Sequence, residues 1–316
     1  MMKLKAFAPA SIGNFCVGFD LLGAAIKPID GSLLGDIIEI SRHGSGKLES
    51  TGRYSHQLPA SMSDNIIVDC LNLFNQALVE KNMFQQNLHI TLHKNLPVGS
   101  GLGSSSSSIV AMFSALNFWY SSPFSQTEIY QMMGQMEAQI SGSLHYDNIA
   151  PCYLGGLQLM NQDNQLSNPL PWYSDWYIVI AYSGITVNTK AMREILPQSM
   201  SLSNAANYAL NLSNFVNSLY CNNKQMTLDF FKDVVAEPYR ENLLPDYLNH
   251  KSALAELGVK ATSISGSGPT LFSICDSIEV AQQAEHYLKE FYTHNHEAFT
   301  HICQLDWQGS RIIEGN

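Results

Sequence analysis

The chain has 316 residues, which fits two lobes at the usual domain size of roughly 150 residues, and 45% of its residues are hydrophobic, enough for a full core. Only 14% are charged, and 17 Lys and Arg against 27 Asp and Glu give a net charge of −10. Because nucleic-acid affinity rests on Lys and Arg neutralising phosphates, this balance argues against a nucleic-acid partner but allows a small anionic substrate.

Predicted strands and helices are mixed in both halves of the chain. A helix is expected to begin at Asp64, and another at Ser125, where Ser125 and Glu128 have the spacing of a capping box. A polar stretch at 161–171 is expected to link an N-terminal lobe, residues 1–165, to a C-terminal lobe, residues 166–316. The pattern predicts a two-lobed α+β enzyme. Predicted strands are 36–41, 88–92, 176–182, 261–264 and 271–274, and predicted helices are 64–78, 109–119, 125–140, 205–220, 226–236, 247–257 and one after the last strand pair.

The compartment is expected to be the cytoplasm. The N-terminus lacks the apolar core of a signal peptide. The most apolar stretch, 109–120, contains Ser114 and Asn117 and is shorter than the roughly 18 apolar residues of a membrane span. The six cysteines are scattered without a C-x-x-C pair, which favours buried reduced thiols over zinc or disulfides.

A glycine-rich segment lies between the predicted strand 88–92 and the predicted helix 109–119. Its alternating glycines allow positive φ and close approach of a ligand, and the following helix offers unpaired N–H groups. It ends without Gly-Lys-Ser/Thr and does not fit G-x-G-x-x-G. The segment suits a polyphosphate, with a plain Gly/Ser turn as the alternative. The residues of this glycine–serine loop are Pro97, Val98, Gly99, Ser100, Gly101, Leu102, Gly103, Ser104, Ser105, Ser106 and Ser107.

The loop resembles the phosphate loop of the galactokinase, homoserine kinase, mevalonate kinase and phosphomevalonate kinase superfamily, with Ser106 where alanine is usual. Residues 8–20, APASIGNFCVGFD, resemble the substrate-binding segment of homoserine kinases, and residues 264–270, ISGSGPT, resemble the third superfamily motif. Residues 144–151 and 237–240 are similar to homoserine kinases in particular. The resemblance spans nearly the whole chain. It implies phosphorylation of the L-homoserine hydroxyl by ATP with Mg²⁺, a step toward threonine, by a ribosomal-protein-like N-terminal lobe and a ferredoxin-like C-terminal lobe.

The resemblance also implies roles for charged residues. Glu137 would be the magnesium carboxylate, with Ser104 or Ser105 as the hydroxyl ligand, since Mg²⁺ prefers oxygen. Taken alone, Glu137 would be a solvated residue on a helix face. Arg193 and Arg240 would clamp the carboxylate of an amino acid, because the guanidinium fork binds it bidentately. For either arginine, a salt bridge at the surface or between the lobes is the alternative.

Other polar residues would complete the substrate site. In the family, Asp20 would accept the substrate ammonium and Asn14 would bond its hydroxyl. Asp147 is assigned to substrate positioning, with general-base catalysis as the secondary option, since the base position of related kinases falls on Asp147 or Asn148. His145 would orient Asp147 or contact substrate, and a packed histidine is an equal alternative.

Gly266 lies in a turn that the resemblance places beside the glycine–serine loop, where its backbone would shape the substrate pocket. Contact with the nucleotide is an alternative for Asn65 and Lys94, but helix entry and a solvated strand end account for them adequately. Two other functions stay open: a superfamily kinase for an isoprenoid or sugar alcohol, and a non-catalytic sensor of nucleotide or amino acid. The paired arginines with Asp20 favour an amino acid, and Glu137 with the complete serine run favours catalysis. Relatives suggest a homodimer.

Overall fold

The computed structural model describes residues 3–42, 46–61, 64–142, 144–162 and 165–315. None of the described helices combines the length and apolar character that crossing a membrane requires. The strands are β1 (Lys3–Gly13), β2 (Leu22–Pro28), β3 (Gly35–Ser41), β4 (Leu48–Thr51), β5 (His89–His93), β6 (Leu157–Leu159), β7 (Asn168–Leu170), β8 (Tyr177–Tyr182), β9 (Ala261–Ile264), β10 (Leu271–Cys275), β11 (Phe299–Leu305) and β12 (Arg311–Gly315). The helices are α1 (Ile66–Glu80), α2 (Ser104–Trp119), α3 (Gln126–Ser141), α4 (Ile149–Leu154), α5 (Thr189–Glu194), α6 (Leu202–Tyr220), α7 (Lys224–Asp229), α8 (Glu237–Arg240), α9 (Tyr247–Glu256) and α10 (Ile278–Phe291).

The long strand β1 belongs to both halves of the strand array. Its first residues pair with β3 and β12, and its last residues pair with β2. The order across the array is β4-β5-β3-β1-β2-β11-β8-β10-β9, with β6 joining β2 and β7 joining β6. The pairs are antiparallel except β4 with β5. Residues near both ends of the chain therefore meet at β1.

Each lobe has its own helices and core. In the first lobe, α2 packs against β1, β3, α1 and α3, and its apolar residues from Ile109 to Leu116 are buried. In the second lobe, β8 alternates between two cores, as a strand with both faces covered must. Ile178 and Ile180 face the core that includes residues of α6, whereas Val179 and Ala181 face the core that includes residues of α9 and α10.

The predicted two-lobed α+β class is confirmed, and most predicted elements are present. The capping box at Ser125 and Glu128 forms with both of its hydrogen bonds. The first helix differs from the prediction, because Asn65 rather than Asp64 caps α1 by accepting the N–H of Ile67. Of the predicted linker, Asp163 and Asn164 lie outside the described residues, and its end forms β7. The lobe boundary after residue 165 stays a prediction.

Candidate active site

A cavity of about 810 Å³ lies beside the glycine–serine loop. This volume is typical of small-molecule sites. Its walls come from segments far apart in the chain: the turn after β1, the start of α1, the loop and first turn of α2, the end of α3, the segment before α4, α5, α8 and the turn between β9 and β10. Of the predicted site residues, those in the cavity wall are Asn14, Asp20, Val98, Gly99, Ser100, Gly101, Gly103, Ser104, Ser105, Ser106, Glu137, His145, Asp147, Arg193, Arg240 and Gly266.

The loop needs glycines for two reasons: its backbone has positive φ values, and a neighbouring segment lies too close for a side chain. Gly99, Gly101 and Gly103 have φ values of +65°, +81° and +63°, in the left-handed region that glycine adopts readily. A Cβ at Gly101 would lie 2.4 Å from the carbonyl oxygen of Ser265. Because Gly103 is the residue before the first turn of α2, no side chain of its own caps that turn. The free helix N-terminus can therefore bind an anion.

Three predicted loop residues support the loop and do not line the cavity. Leu102 is fully buried in the hydrophobic core, and Pro97 at the start of the loop is also buried. The hydroxyl of Ser107 donates to the carbonyl of Ala8 at 2.8 Å and accepts the N–H of Asp36 at 2.9 Å. These bonds fasten the start of α2 to β1 and β3.

The turn between β9 and β10 holds the loop from the other lobe. Ser265 Oγ donates to the carbonyl of Gly101 at 2.6 Å. The N–H and hydroxyl of Thr270 both donate to the carbonyl of Ser100, at 3.1 and 2.7 Å. Gly266, expected beside the loop, lies in this turn. The carbonyls of Ser100 and Gly101 are therefore bonded within the protein and do not face a ligand.

Glu137 on α3 reaches the first turn of α2. Its carboxylate accepts the hydroxyl of Ser106 at 3.0 Å and that of Ser105 at 3.2 Å. Burial raises the pKa of Glu137, partly offset by the nearby His145 and by the serine hydroxyls. The described residues contain no cluster of three or more acidic, histidine or cysteine side chains able to hold a metal. One carboxylate with a hydroxyl still fits Mg²⁺, which takes further oxygens from water and phosphates.

Asp147 precedes α4 and contacts the turn that follows β1. Its Oδ2 accepts the N–H of Asn14 at 3.2 Å, and its Oδ1 lies 3.7 Å from Nδ1 of His145. Burial raises the pKa of this carboxyl. The neighbouring Asn148 is engaged differently, because its side-chain oxygen accepts the hydroxyl of Ser11 at 2.9 Å. Of the two candidate base positions, only Asp147 is a carboxylate, and it borders the cavity.

The turn after β1 has an unusual backbone. Asn14, Phe15 and Cys16 have φ values of +64°, +39° and +61°, and Asp20 has +57°, which non-glycine residues seldom adopt. Packing of Phe15 onto Phe272, with ring centroids 5.6 Å apart, holds the turn. The side-chain oxygen of Asn14 accepts the N–H of Asp20 at 3.0 Å. The side chain of Asn14 and the backbone of Asp20 are thus fixed at the cavity wall.

The two predicted clamp arginines have different partners. Arg193 binds both carboxylate oxygens of Asp20, at 3.1 and 2.6 Å, so the groups expected to hold opposite ends of a zwitterion hold each other. Arg240 is buried and donates to the carbonyls of Met192 and Gly266. The described bonds use three of the five N–H groups of Arg240.

The sequence interpretation was wrong about Lys94 and did not include Asp36. Lys94 was expected at a solvated strand end, but its side chain is 2% exposed and forms an ion pair with the fully buried Asp36. Asn65 agrees with its expected role at helix entry and also borders the cavity. The sequence places Asp36 between Gly35 and Ile37 and Lys94 between His93 and Asn95, and neither setting indicates an ion pair.

Together with the family matches that follow, the two-lobed fold and this cavity place the protein in a class, the kinases that act on small molecules. Residues 65–156 match the family described as GHMP kinases N terminal domain, and residues 212–294 match GHMP kinases C terminal. The two matches together cover more than half of the chain. The protein therefore belongs to the GHMP kinase family.

Solved structures agree with this assignment. Homoserine kinase from Cytophaga hutchinsonii is 29% identical, with 98% of this chain and 97% of that chain covered and a TM-score of 0.86. Mevalonate kinase from L. major in complex with R-mevalonate is 16% identical, with 95% of each chain covered and a TM-score of 0.67. Phosphomevalonate kinase from Streptococcus pneumoniae is 13% identical, with 99% and 100% covered and a TM-score of 0.69. The last two likenesses show the fold alone.

Proposed function

We propose that the protein transfers the γ-phosphoryl group of ATP to the side-chain hydroxyl of L-homoserine, with Mg²⁺ as cofactor. The observation that carries this proposal is the 29% identity to the Cytophaga hutchinsonii homoserine kinase over 98% of the chain. The charged residues of the cavity add support, because Asp20, Arg193 and Arg240 lie in the same cavity as the glycine–serine loop. A neutral sugar needs neither an ammonium acceptor nor a carboxylate clamp.

The loop would bind the phosphates of ATP. Its N–H groups and the N-terminus of α2 provide donors and a positive dipole end, and both are fixed before the ligand arrives. Glu137 and Ser105 would hold Mg²⁺, which neutralises phosphate charge when bound. His145 borders the cavity, and its buried Nε2 makes no hydrogen bond within the described part of the chain, which supports a polar ligand nearby.

The ion pair of Asp20 and Arg193 suits a zwitterionic substrate. When the substrate ammonium meets Asp20 and its carboxylate meets Arg193, each charge exchanges one opposite partner for another. No charge is left unpaired, so the cost of separating the pair is small. Arg240 would add its remaining N–H groups to the carboxylate, and Asn14 would bond the hydroxyl.

Asp147 would position the substrate. It fixes the turn after β1 by accepting the N–H of Asn14, and so sets the place of the attacking hydroxyl. Since burial raises its pKa, Asp147 is also a stronger base than an ordinary aspartate, and proton acceptance from the hydroxyl is its secondary role.

The test is an ADP-release assay with ATP and Mg²⁺ across homoserine, serine, threonine, mevalonate and galactose, with the product identified by ³¹P NMR. We expect turnover with homoserine and formation of O-phosphohomoserine. Turnover of mevalonate or galactose with homoserine inert would overturn the proposal. Ligand binding without ADP release would favour a sensor.

A further inference from the structure

A buried ion pair lies directly behind the glycine–serine loop. Asp36 on β3 is fully buried and Lys94, just after β5, is 2% exposed. Besides Asp36, the ammonium of Lys94 donates to the carbonyl of Ser104 at 2.8 Å and to the hydroxyl of Ser108 at 3.0 Å. A lysine has three N–H donors. All three are therefore used inside the protein, and Lys94 has none left for a ligand.

The carboxylate of Asp36 also has all of its hydrogen-bonding positions occupied. Its Oδ1 accepts the N–H groups of Asn95 and Leu96 at 2.8 and 3.0 Å, and its Oδ2 accepts Lys94 and, at 2.6 Å, the hydroxyl of Ser108. A carboxylate has about four lone-pair sites for hydrogen bonds. These four bonds therefore saturate Asp36.

The partners of this pair lie on both sides of the loop. Asn95 and Leu96 come immediately before it, while Ser104 and Ser108 belong to the first turns of α2. We call Asp36, Lys94 and Ser108 the Asp36 bracket. The bracket joins the end of β5 to the start of α2, and so sets the span that the loop must cover.

We infer that the Asp36 bracket is a positioning device for phosphoryl transfer, which holds the loop N–H groups at the spacing that the ATP phosphates require. The inference rests on the proposed role of the loop as the ATP site. Three glycines in a short loop have much conformational freedom to lose on binding. Fixing both ends of the loop in advance reduces that loss, which raises affinity.

A contribution to stability alone does not account for the bracket. A buried ion pair is often no more stabilising than apolar residues of the same volume, because desolvation offsets the attraction. An apolar pair could not, however, accept two backbone N–H groups before the loop and donate to a helix carbonyl after it. The hydrogen bonds of the bracket are therefore specific to the loop geometry.

The test compares Ser108→Ala with Ser218→Ala. Ser108→Ala removes one donor to Asp36 and one acceptor of Lys94, and leaves the ion pair in place. Ser218 is a matched control, since it is also a buried helical serine, with its hydroxyl bonded to the carbonyl of Phe215 and to the hydroxyl of Thr227. Ser108 borders the cavity and Ser218 does not, but the hydroxyl of Ser108 is occupied, because it donates to Asp36 and accepts from Lys94. Both variants lose a buried hydroxyl, and urea unfolding of each measures its folding stability separately.

We expect Ser108→Ala to weaken binding of a non-hydrolysable ATP analogue about tenfold, the lower end of the factor that one hydrogen bond to a charged group contributes. Its KM for ATP should rise with it, while its KM for homoserine stays within about twofold of the parent value. Ser218→Ala should bind the analogue as the parent does. Parent-like analogue binding by Ser108→Ala, or equal weakening in both variants, would overturn the inference.

Analogue binding by calorimetry needs no homoserine. The bracket is therefore tested even if the parent does not phosphorylate homoserine, a result that would count against the proposed function alone.

Discussion

Replacing Arg193 with leucine separates its effect on substrate binding from its effect on stability. The side chains of Arg193 and Asp20 are 38% and 30% exposed, so water screens their ion pair. Such pairs contribute ~1 kcal/mol or less to folding. Arg193→Leu should therefore lower the free energy of unfolding by no more than about 1 kcal/mol.

The expected effect on homoserine is larger. A hydrogen bond to a charged group contributes about 1.5–3 kcal/mol, which corresponds to a factor of roughly 10 to 150 in affinity. The KM for homoserine should rise by this factor in Arg193→Leu, while the KM for ATP stays unchanged. Arg193→Lys is the matched control. It keeps the charge but loses the bidentate fork, so its KM should lie between those of the parent and the leucine variant.

The assay is coupled ADP release, with homoserine varied at saturating ATP and then ATP varied at saturating homoserine. Urea unfolding of each variant measures its free energy of unfolding separately. An unchanged homoserine KM in Arg193→Leu would refute the clamp. A loss of several kcal/mol in unfolding free energy would refute the view that the pair with Asp20 is weak in the absence of substrate.

Two further predictions concern the other side of the cavity. Glu137→Gln should lower kcat by at least ~100-fold through loss of the metal carboxylate, and should also stabilise the protein at pH 7. Because burial raises the pKa of Glu137 in the folded protein, the parent loses stability as pH rises from the ordinary glutamate value of 4.5, and the advantage of the amide should vanish below that pH. Gly101→Ala should weaken ATP binding and cost roughly 1–3 kcal/mol from backbone strain alone, plus the clash with Ser265. Gly142→Ala is its control, since Gly142 has a φ of +82° with open space around it, so it should show the strain without the ATP effect.

Thermal unfolding at pH 7 and at pH 4 checks the first of these, and a Glu137→Gln variant less stable than the parent at both would contradict it. For the second, calorimetric titration with an ATP analogue is decisive. Equal affinities of Gly101→Ala and Gly142→Ala would show that the close approach to Ser265 has no bearing on the nucleotide.

Features set by near neighbours in the sequence were predictable. The capping box at Ser125 and the strand at 261–264 appear where the local pattern places them. The strand β1 was not predicted, because its residues from Ala6 to Gly13 are buried without the alternation that marks a half-exposed strand. Its partner β12 comes from the other end of the chain. The predicted helix began at residue 109 rather than at Ser104, because serine is more typical of loops and caps than of helix interiors.

The residues of the candidate site were largely predictable, but their pairing was not. Motif resemblance identified Asp20 and Arg193 as parts of one site, yet nothing local indicates that residues 173 positions apart bind each other. The buried pair of Asp36 and Lys94 is of the same kind. Contacts of this type depend on how elements distant in the sequence pack together, which periodicity does not report.

The phosphate-binding role of the glycine–serine loop is tested most directly by a crystal structure with a non-hydrolysable ATP analogue, Mg²⁺ and L-homoserine. We expect the phosphates against the N–H groups between Gly99 and Ser106, the metal at Glu137, and the amino acid between Asp20 and the two arginines. Phosphates bound elsewhere, with the glycine–serine loop making no contact to the nucleotide, would contradict it.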